Sequence, residues 1–252
     1  MIYKIRNKRY PEKNFVKHKD NDGLHLASVN HWDFYDCLID MSEYKQGEYD
    51  EACGITWGAS ASFTRCVFRN AGKLVLIGSG DADKRAIEEG KTVRFNDCVF
   101  VNFCRRGPEI QSGMRVFMDN CLIMDWGTSP YWDKRTFAIR VHDGGYLHIS
   151  NSVFMQNVRP HLNLYLKDKI HHIGQACKDF GISALFSPRT YASGWRRACT
   201  VEGDGLLLAE NCYAFPDNLI IDNLISKMSE SVAKEKYNTA LCMMNKVVSE
   251  AK

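Results

Sequence analysis

A short segment near the middle of the chain combines aromatic and cationic side chains in a pattern that could bind an acidic sugar. The aromatic residues are Trp126, Tyr131 and Trp132, and the cations that follow are Lys134, Arg135 and Arg140. Aromatic rings can pack against sugar rings, and arginine or lysine can hold a carboxylate. Because Trp and Tyr at loop ends are also common packing residues, the pattern fits a sugar-binding role and a packing role equally.

The ten cysteines form no pattern typical of a metal or redox site, because none belongs to a C-x-x-C pair. Five of them occupy one position of a phrase that returns six times, with apolar, polar, polar, small, apolar and apolar residues. The small residues of the six copies are Cys37, Cys66, Cys98, Cys121, Ser152 and Cys212. We therefore expect these five cysteines to pack inside the fold as free thiols.

The spacing of the phrase predicts a solenoid of β-strands. By subtraction, successive copies lie 29, 32, 23, 31 and 60 residues apart. Stacked coils tolerate loops of different length at one face, which produces such irregular steps. β-prone residues follow the small residue and mostly Asn or Asp precede it, so each copy predicts a strand leaving a tight bend. Stacked Asn side chains can also form a ladder along the axis of the solenoid.

The phrase also divides the chain into parts. Residues 1–25 form a basic arm, with seven Lys or Arg and one acid between positions 4 and 19. Residues 26–217 form the solenoid, with a helical or loop insertion near 160–205 in which 166–180 is expected to be helical. Residues 218–252 carry apolar residues at helical spacing, which predicts one or two amphipathic helices over an open end or edge of the solenoid.

Charge and hydropathy restrict the classes of function. The chain has 33 basic and 30 acidic residues, a balance that argues against nucleic-acid binding across the whole surface. No stretch is long and apolar enough to predict a membrane span, and no apolar signal segment follows Met1. Reduced cysteines favour the cytoplasm, while the native compartment and the oligomeric state stay open.

Three segments, at residues 72–81, 93–126 and 137–158, together resemble the pectate lyase superfamily, polysaccharide lyase family 1. Residues 72–81 resemble its D-K-A-x-L-I-G-x-x-D phrase, residues 93–126 resemble its R-x-P-R-x-R-x-G loop between two strands, and residues 137–158 are similar to the next coil. The resemblance covers about residues 26–158. It implies a right-handed parallel β-helix, secretion, and an acidic polysaccharide as the partner.

The chemistry implied by the resemblance is β-elimination on a uronate polymer. A base removes the proton next to the C6 carboxylate, the glycosidic oxygen leaves, and positive charge stabilises the carboxylate in the transition state. Arg106 takes the place of the family's catalytic arginine, and Lys73 takes that of a substrate-carboxylate binder. Because arginine is a poor base, Arg106 could instead clamp a carboxylate with two donors.

The family's cofactor, Ca²⁺, is not expected at its usual position. The corresponding segments, near residues 29–31 and 53–57, carry no carboxylates, and Ca²⁺ needs several hard oxygen ligands. The nearby acids either build a shifted calcium site or are solvated loop residues; they are Asp33, Asp36, Asp40, Asp50 and Glu51. Without the metal, positive charge could come from His31, Lys73, Arg105 and Arg106.

Two functions therefore stay open. The first is a polysaccharide lyase-like protein that cleaves an acidic glycan, with Arg106 as the catalytic residue. Its substrate-binding residues would be Lys73, Arg105, His31, Trp132 and Arg135. The second is a catalytically inactive β-helix that binds a glycan or a protein, inside a cell or on a phage particle. The positions of Lys73 and Arg106 favour the first, whereas the missing calcium carboxylates, and Glu109 and Gln111 where the family has arginines, favour the second.

Overall fold

The computed structural model describes residues 4–5, 23–27, 31–41, 51–78, 90–126, 137–156, 197–215 and 219–251. Over these residues the chain forms a parallel β-helix, followed by one α-helix, α1 (Glu230–Glu250). Each complete coil gives one strand to each of three sides of the stack, and the strands of neighbouring coils pair in parallel. The predicted fold class, an all-β parallel β-helix with a C-terminal helical segment, is confirmed.

The three sides follow one another in each coil. Side 1 contains β2 (Leu24–Ala27), β5 (Glu51–Thr56), the end of β7 (Val67–Ile77), β10 (Glu109–Ile110), β13 (Ile139–Val141), β16 (Arg197–Val201) and β19 (Ile220–Ile221). Side 2 contains β3 (His31–Tyr35), β6 (Ser60–Thr64), β8 (Thr92–Asn96), β11 (Arg115–Asp119), β14 (Tyr146–Ser150) and β17 (Leu206–Glu210). Side 3 contains β1 (Lys4–Ile5), β4 (Leu38–Asp40), the start of β7, most of β9 (Val99–Arg106), β12 (Leu122–Trp126), β15 (Val153–Met155) and β18 (Tyr213–Phe215). The last residue of β9, Arg106, pairs with Lys73 and lies on side 1.

The bend between sides 2 and 3 explains the polar pair of the repeated phrase. In each copy the second polar residue has a left-handed backbone, with φ between 48° and 54°; these residues are Asp36, Arg65, Asp97, Asn120, Asn151 and Asn211. Asn and Asp adopt this conformation more readily than other side chains. Their side chains also bond between coils, as Asn120 Nδ2 donates to Asp97 Oδ1 at 2.6 Å. Asn211 Nδ2 likewise donates to Asn151 Oδ1 at 2.7 Å, so the stacked Asn expected at this bend is found in these two coils.

Columns of cysteine and phenylalanine run through the interior of the stack. Cys37, Cys66, Cys98, Cys121 and Cys212 are buried free thiols, as predicted, and each donates its S–H to the carbonyl two residues earlier at 3.3–3.5 Å. Phe34, Phe63 and Phe95 stack in successive coils, with ring centroids 4.8 and 5.1 Å apart. Such ring pairs contribute about 0.5–1.5 kcal/mol each beyond their burial.

Helix α1 covers a side of the solenoid, and not the open end or edge expected from the sequence. The outer surface of side 3 carries an in-register apolar row of Leu38, Val67, Val99, Leu122 and Val153. Ala233 and Val247 of α1 pack on this row together with Met228, and all three are buried. The row would otherwise face water, so its burial under α1 stabilises both elements.

The coil pattern extends beyond the boundaries expected from the sequence. At the N-terminal end, β1 of the predicted basic arm pairs in parallel with β4. At the other end, Leu224 and Lys227 form parallel bridges with Ala209 and Cys212, past the expected limit at residue 217.

The helix predicted at 166–180 lies outside the described residues. Among the residues that are described, no helix is long and apolar enough to cross a membrane.

Candidate functional site

Lys73 and Arg106, the two cations singled out by the sequence, are neighbours on side 1. The parallel register pairs Lys73 of β7 with Arg106 of β9, so the two backbones lie on adjacent coils. Each side chain, however, is already engaged by an acid of the same chain. Lys73 Nζ donates to Glu51 Oε1, and Arg106 Nη1 donates to Glu109 Oε1. The Arg106 side chain is only 9% exposed, and that of Lys73 is 20% exposed.

Glu109 is the centre of a buried charge network. Its Oε1 atom accepts hydrogen bonds from Arg106, from Arg140 Nη1 at 2.9 Å and from His142 Nε2 at 2.9 Å. The parallel pairing of β10 with β13 places Glu109 beside Arg140, which also donates through Nη2 to Glu202. We call Arg106, Glu109, Arg140, His142 and Glu202 the Glu109 network.

The charges of this network stabilise one another. Burial raises the pKa of Glu109, but the hydrogen bond from His142 and the charges of Arg106 and Arg140 outweigh it and hold that pKa below its ordinary value. Burial likewise opposes the charge on Arg140, yet its bonds to Glu202 and Glu109 raise its pKa. In this network, therefore, Arg106 and Arg140 bind the carboxylates of Glu109 and Glu202, and the opposite charges balance within the chain.

His31, which the sequence placed with these cations, lies on side 2 instead of side 1. It is exposed, and its ring bonds to Ser60 Oγ at 2.9 Å, to Asp33 Oδ1 at 3.2 Å and to Ser62 Oγ at 3.2 Å. The backbone of Arg105 belongs to β9, while its side chain lies outside the described part. Trp132 and Arg135 also lie outside it. Trp126 is fully buried, which supports the packing role for that aromatic residue.

The acids proposed for a shifted calcium site do not converge. Asp33 lies on side 2, Asp36 in a bend, Asp40 on side 3 and Glu51 on side 1, and Asp50 is not among the described residues. Three of the four bond to cations: Arg65 binds Asp36, Arg69 binds Asp40, and Lys73 binds Glu51. Within the described ranges, no group of three or more His, Cys, Asp or Glu residues could hold a metal ion.

A second arrangement, on the outer surface of side 2, was missed by the sequence analysis. Arg94, Phe117 and His148 align across β8, β11 and β14, and Arg115 aligns with Tyr146. Arg94 Cζ lies 4.6 Å from the centre of the Phe117 ring. The Phe117 ring centre is 5.9 Å from that of Tyr146 and 6.3 Å from that of His148. We call these five residues the side 2 platform.

The platform is open to solvent. Arg94 and Arg115 are exposed, and the three rings are partly exposed. Strand residues alternate between the two faces of a sheet. Where the first residue of a copy of the phrase is buried, the residue directly before it must therefore point outwards. Arg94, Phe117 and His148 stand directly before Phe95, Met118 and Ile149, so aligning the copies of the phrase would have found them.

The comparisons with known proteins add no identification. No protein-family model matches the chain, and a search of curated proteins found no match. What the structure defines is the class of fold, a parallel β-helix with a helix packed along one side.

Proposed function

We propose that the protein is a catalytically inactive β-helix that binds an acidic, uronate-containing glycan. The observation that carries this proposal is the side 2 platform, where exposed arginines stand beside aromatic rings on adjacent coils. Aromatic rings can pack against the apolar faces of sugars, and Arg115 and Arg94 can hold carboxylates. Parallel strands lie about 4.8 Å apart, close to the length of one sugar unit, so successive sugars can meet successive coils.

The state of Lys73 and Arg106 argues against elimination chemistry. A lyase must present positive charge to the substrate carboxylate, where negative charge grows in the transition state. Here Glu51 and Glu109 neutralise both cations, and Arg106 is almost fully buried. The resemblance to the pectate lyase superfamily then supports a scaffold that has been retained for binding.

A lyase is the second candidate, and one observation favours it. Lys73 and Arg106 are adjacent in register, and His142, a better base than arginine, lies in the Glu109 network. A uronate carboxylate would have to replace Glu109 at the cations. His142 would take the C5 proton, and the C–H electron pair would form the C4–C5 double bond. The C4–oxygen bond would break, and the leaving oxygen would keep its electron pair and take a proton from water.

One experiment separates the two candidates. The wild-type protein is titrated with polygalacturonate, alginate and other uronate polymers, with and without Ca²⁺, while binding heat and the ultraviolet absorbance of an unsaturated product are recorded. We expect binding without absorbance change. Growing absorbance would replace the binding proposal with the lyase, and no binding to any polymer would overturn both.

Variants then locate the binding surface. We expect Phe117→Ala and Arg115→Ala each to weaken glycan binding at least tenfold, because each removes a contact of the platform. Phe215→Ala, on side 3, is the control, since Phe215 is a strand phenylalanine that is 45% exposed and lies outside the platform. Equal weakening by Phe215→Ala and Phe117→Ala would show that the platform is not the binding surface.

A further inference from the structure

The Glu109 network has the composition of a ligand site, with a carboxylate held by three basic side chains. Arg106, Arg140 and His142 each donate to the same oxygen, Glu109 Oε1. Their side chains are nine-tenths buried or more. We infer that these three residues form a carboxylate-binding pocket on side 1, and that Glu109 of the same chain occupies it.

The pocket requires an anion. Arg106 and Arg140 are two buried guanidinium groups facing one carboxylate, and they would repel each other if it were absent. Leaving a buried charge without its partner is strongly unfavourable. Hydrogen bonds between arginine and a carboxylate are charge-assisted and therefore strong, and they accept any carboxylate of suitable size. The pocket thus suits a carboxylate group.

One buried donor beside the pocket is unused. Arg140 Nε is buried and has no hydrogen-bond partner, although Nη1 and Nη2 of the same group are bonded. Arginine binds a carboxylate best through two parallel donors, and the tethered Glu109 accepts only one from Arg140. Because Nε shares an edge of the guanidinium with Nη2, which bonds to Glu202, this unused donor lies on the Glu202 side. A carboxylate that replaces Glu109 would therefore accept from Arg106, from Arg140 Nη1 and from His142, the three donors that Glu109 uses.

The backbone can keep the pocket in place when the Glu109 side chain is removed. Strand β10 pairs with β7 on one side and with β13 on the other, and Ile110 is fully buried in the core. These contacts fix the register of β10 without the Glu109 carboxylate. Glu109→Ala should therefore leave a cavity lined by Arg106, Arg140 and His142, of the size of a formate or acetate ion.

Chemical rescue tests the inference. Glu109→Ala should unfold at a lower temperature than wild type, and sodium formate or acetate should raise its unfolding temperature by several degrees. Sodium chloride at equal ionic strength should raise it less, because a spherical anion cannot engage the paired donors. Wild type should respond equally to all three salts, since its pocket is filled. Equal responses of Glu109→Ala to chloride and carboxylates would overturn the inference.

Two matched variants complete the test. Glu109→Gln keeps the volume of the side chain but not its charge, so it should lose stability and show no carboxylate rescue. Glu202→Ala removes another acid from Arg140 at a more exposed position and should show no rescue either. If Glu109→Ala purifies unfolded, it is refolded in formate and in chloride. A higher folded yield in formate supports the pocket, and equal yields overturn it. The outcome is independent of glycan binding, because the platform lies on side 2.

Discussion

The hydroxyl of Ser152 accepts a hydrogen bond from the backbone N–H of Cys121 at 3.0 Å, and it donates to the carbonyl of Ser150 at 2.7 Å. Ser152 stands at the position that cysteine takes in the other copies of the phrase, and it makes the same bond to the carbonyl two residues earlier. A fully buried hydroxyl is therefore tolerated because both of its hydrogen-bonding functions are used.

We expect Ser152→Ala to lower the free energy of unfolding by about 1–3 kcal/mol, because the N–H of Cys121 loses its buried acceptor. Ser152→Cys should cost less, since sulfur fits this position in the neighbouring coils. Urea denaturation of the two variants measures the difference. If Ser152→Ala were as stable as wild type, the hydrogen bond to Cys121 would have no net value.

The interior thiols should resist modification. Burial raises the pKa of Cys212 to about 11, and it also raises the pKa of Cys98, Cys121 and Cys199. Only the thiolate reacts. In a variant with Cys104 and Cys177 replaced by alanine, the native protein should therefore show one fast thiol, Cys242, which is exposed.

Thiol labelling near pH 8, followed by mass spectrometry, measures this pattern. Adding Cys242→Ser should remove the fast reaction, and urea should restore labelling at the interior positions. Fast labelling of the ladder cysteines in native protein would contradict the packed interior.

The left-handed bend predicts a difference between two substitutions of Asn120, whose φ is 52°. Both Asn120→Ala and Asn120→Gly lose the bonds to Asp97 and from Lys236 of α1. Alanine also forces a β-carbon into left-handed backbone, which costs about 1–2 kcal/mol, whereas glycine does not. Chemical denaturation should thus find Asn120→Ala less stable than Asn120→Gly. The opposite order would show that the backbone conformation is not the limiting factor.

The depressed pKa of Glu109 predicts acid sensitivity. Its folded pKa lies below the ordinary value of 4.5, so its ionised form stabilises the fold above that pH. This stabilisation is lost as the pH falls from about 4.5 through the lower folded pKa. Unfolding temperatures measured from pH 6 to pH 3 should fall less steeply for Glu109→Gln than for wild type. Parallel curves would show that Glu109 does not contribute.

The repeated phrase made the fold predictable. Its small and apolar residues indicate which positions face the interior, and its Asn and Asp residues indicate the bend. The resemblance to the pectate lyase superfamily singled out Lys73 and Arg106, but it did not show that an acid of the same chain binds each of them. Glu51 lies 22 residues before Lys73, and it reaches that lysine only because β5 pairs with β7. The platform was missed because its members come from three coils, and they fall into line only when the copies of the phrase are aligned with one another. Contacts across coils depend on register, which irregular coil lengths hide.

Helix α1 has a consequence for how the molecule unfolds. Its residue Lys236 bonds to Asn120, while Cys242, Lys246 and Glu250 line a cleft of about 550 Å³ with Asp36 and Arg65. The helix therefore runs back along the stack toward its first coils. At about 1.5 Å per residue and about 4.8 Å per strand, its 21 residues span roughly six rungs.

Coils that touch only their neighbours can fray one at a time from either end. Helix α1 contacts both early and middle coils, so these coils depend on the same contacts for their stability. The solenoid should therefore unfold in one cooperative transition rather than coil by coil.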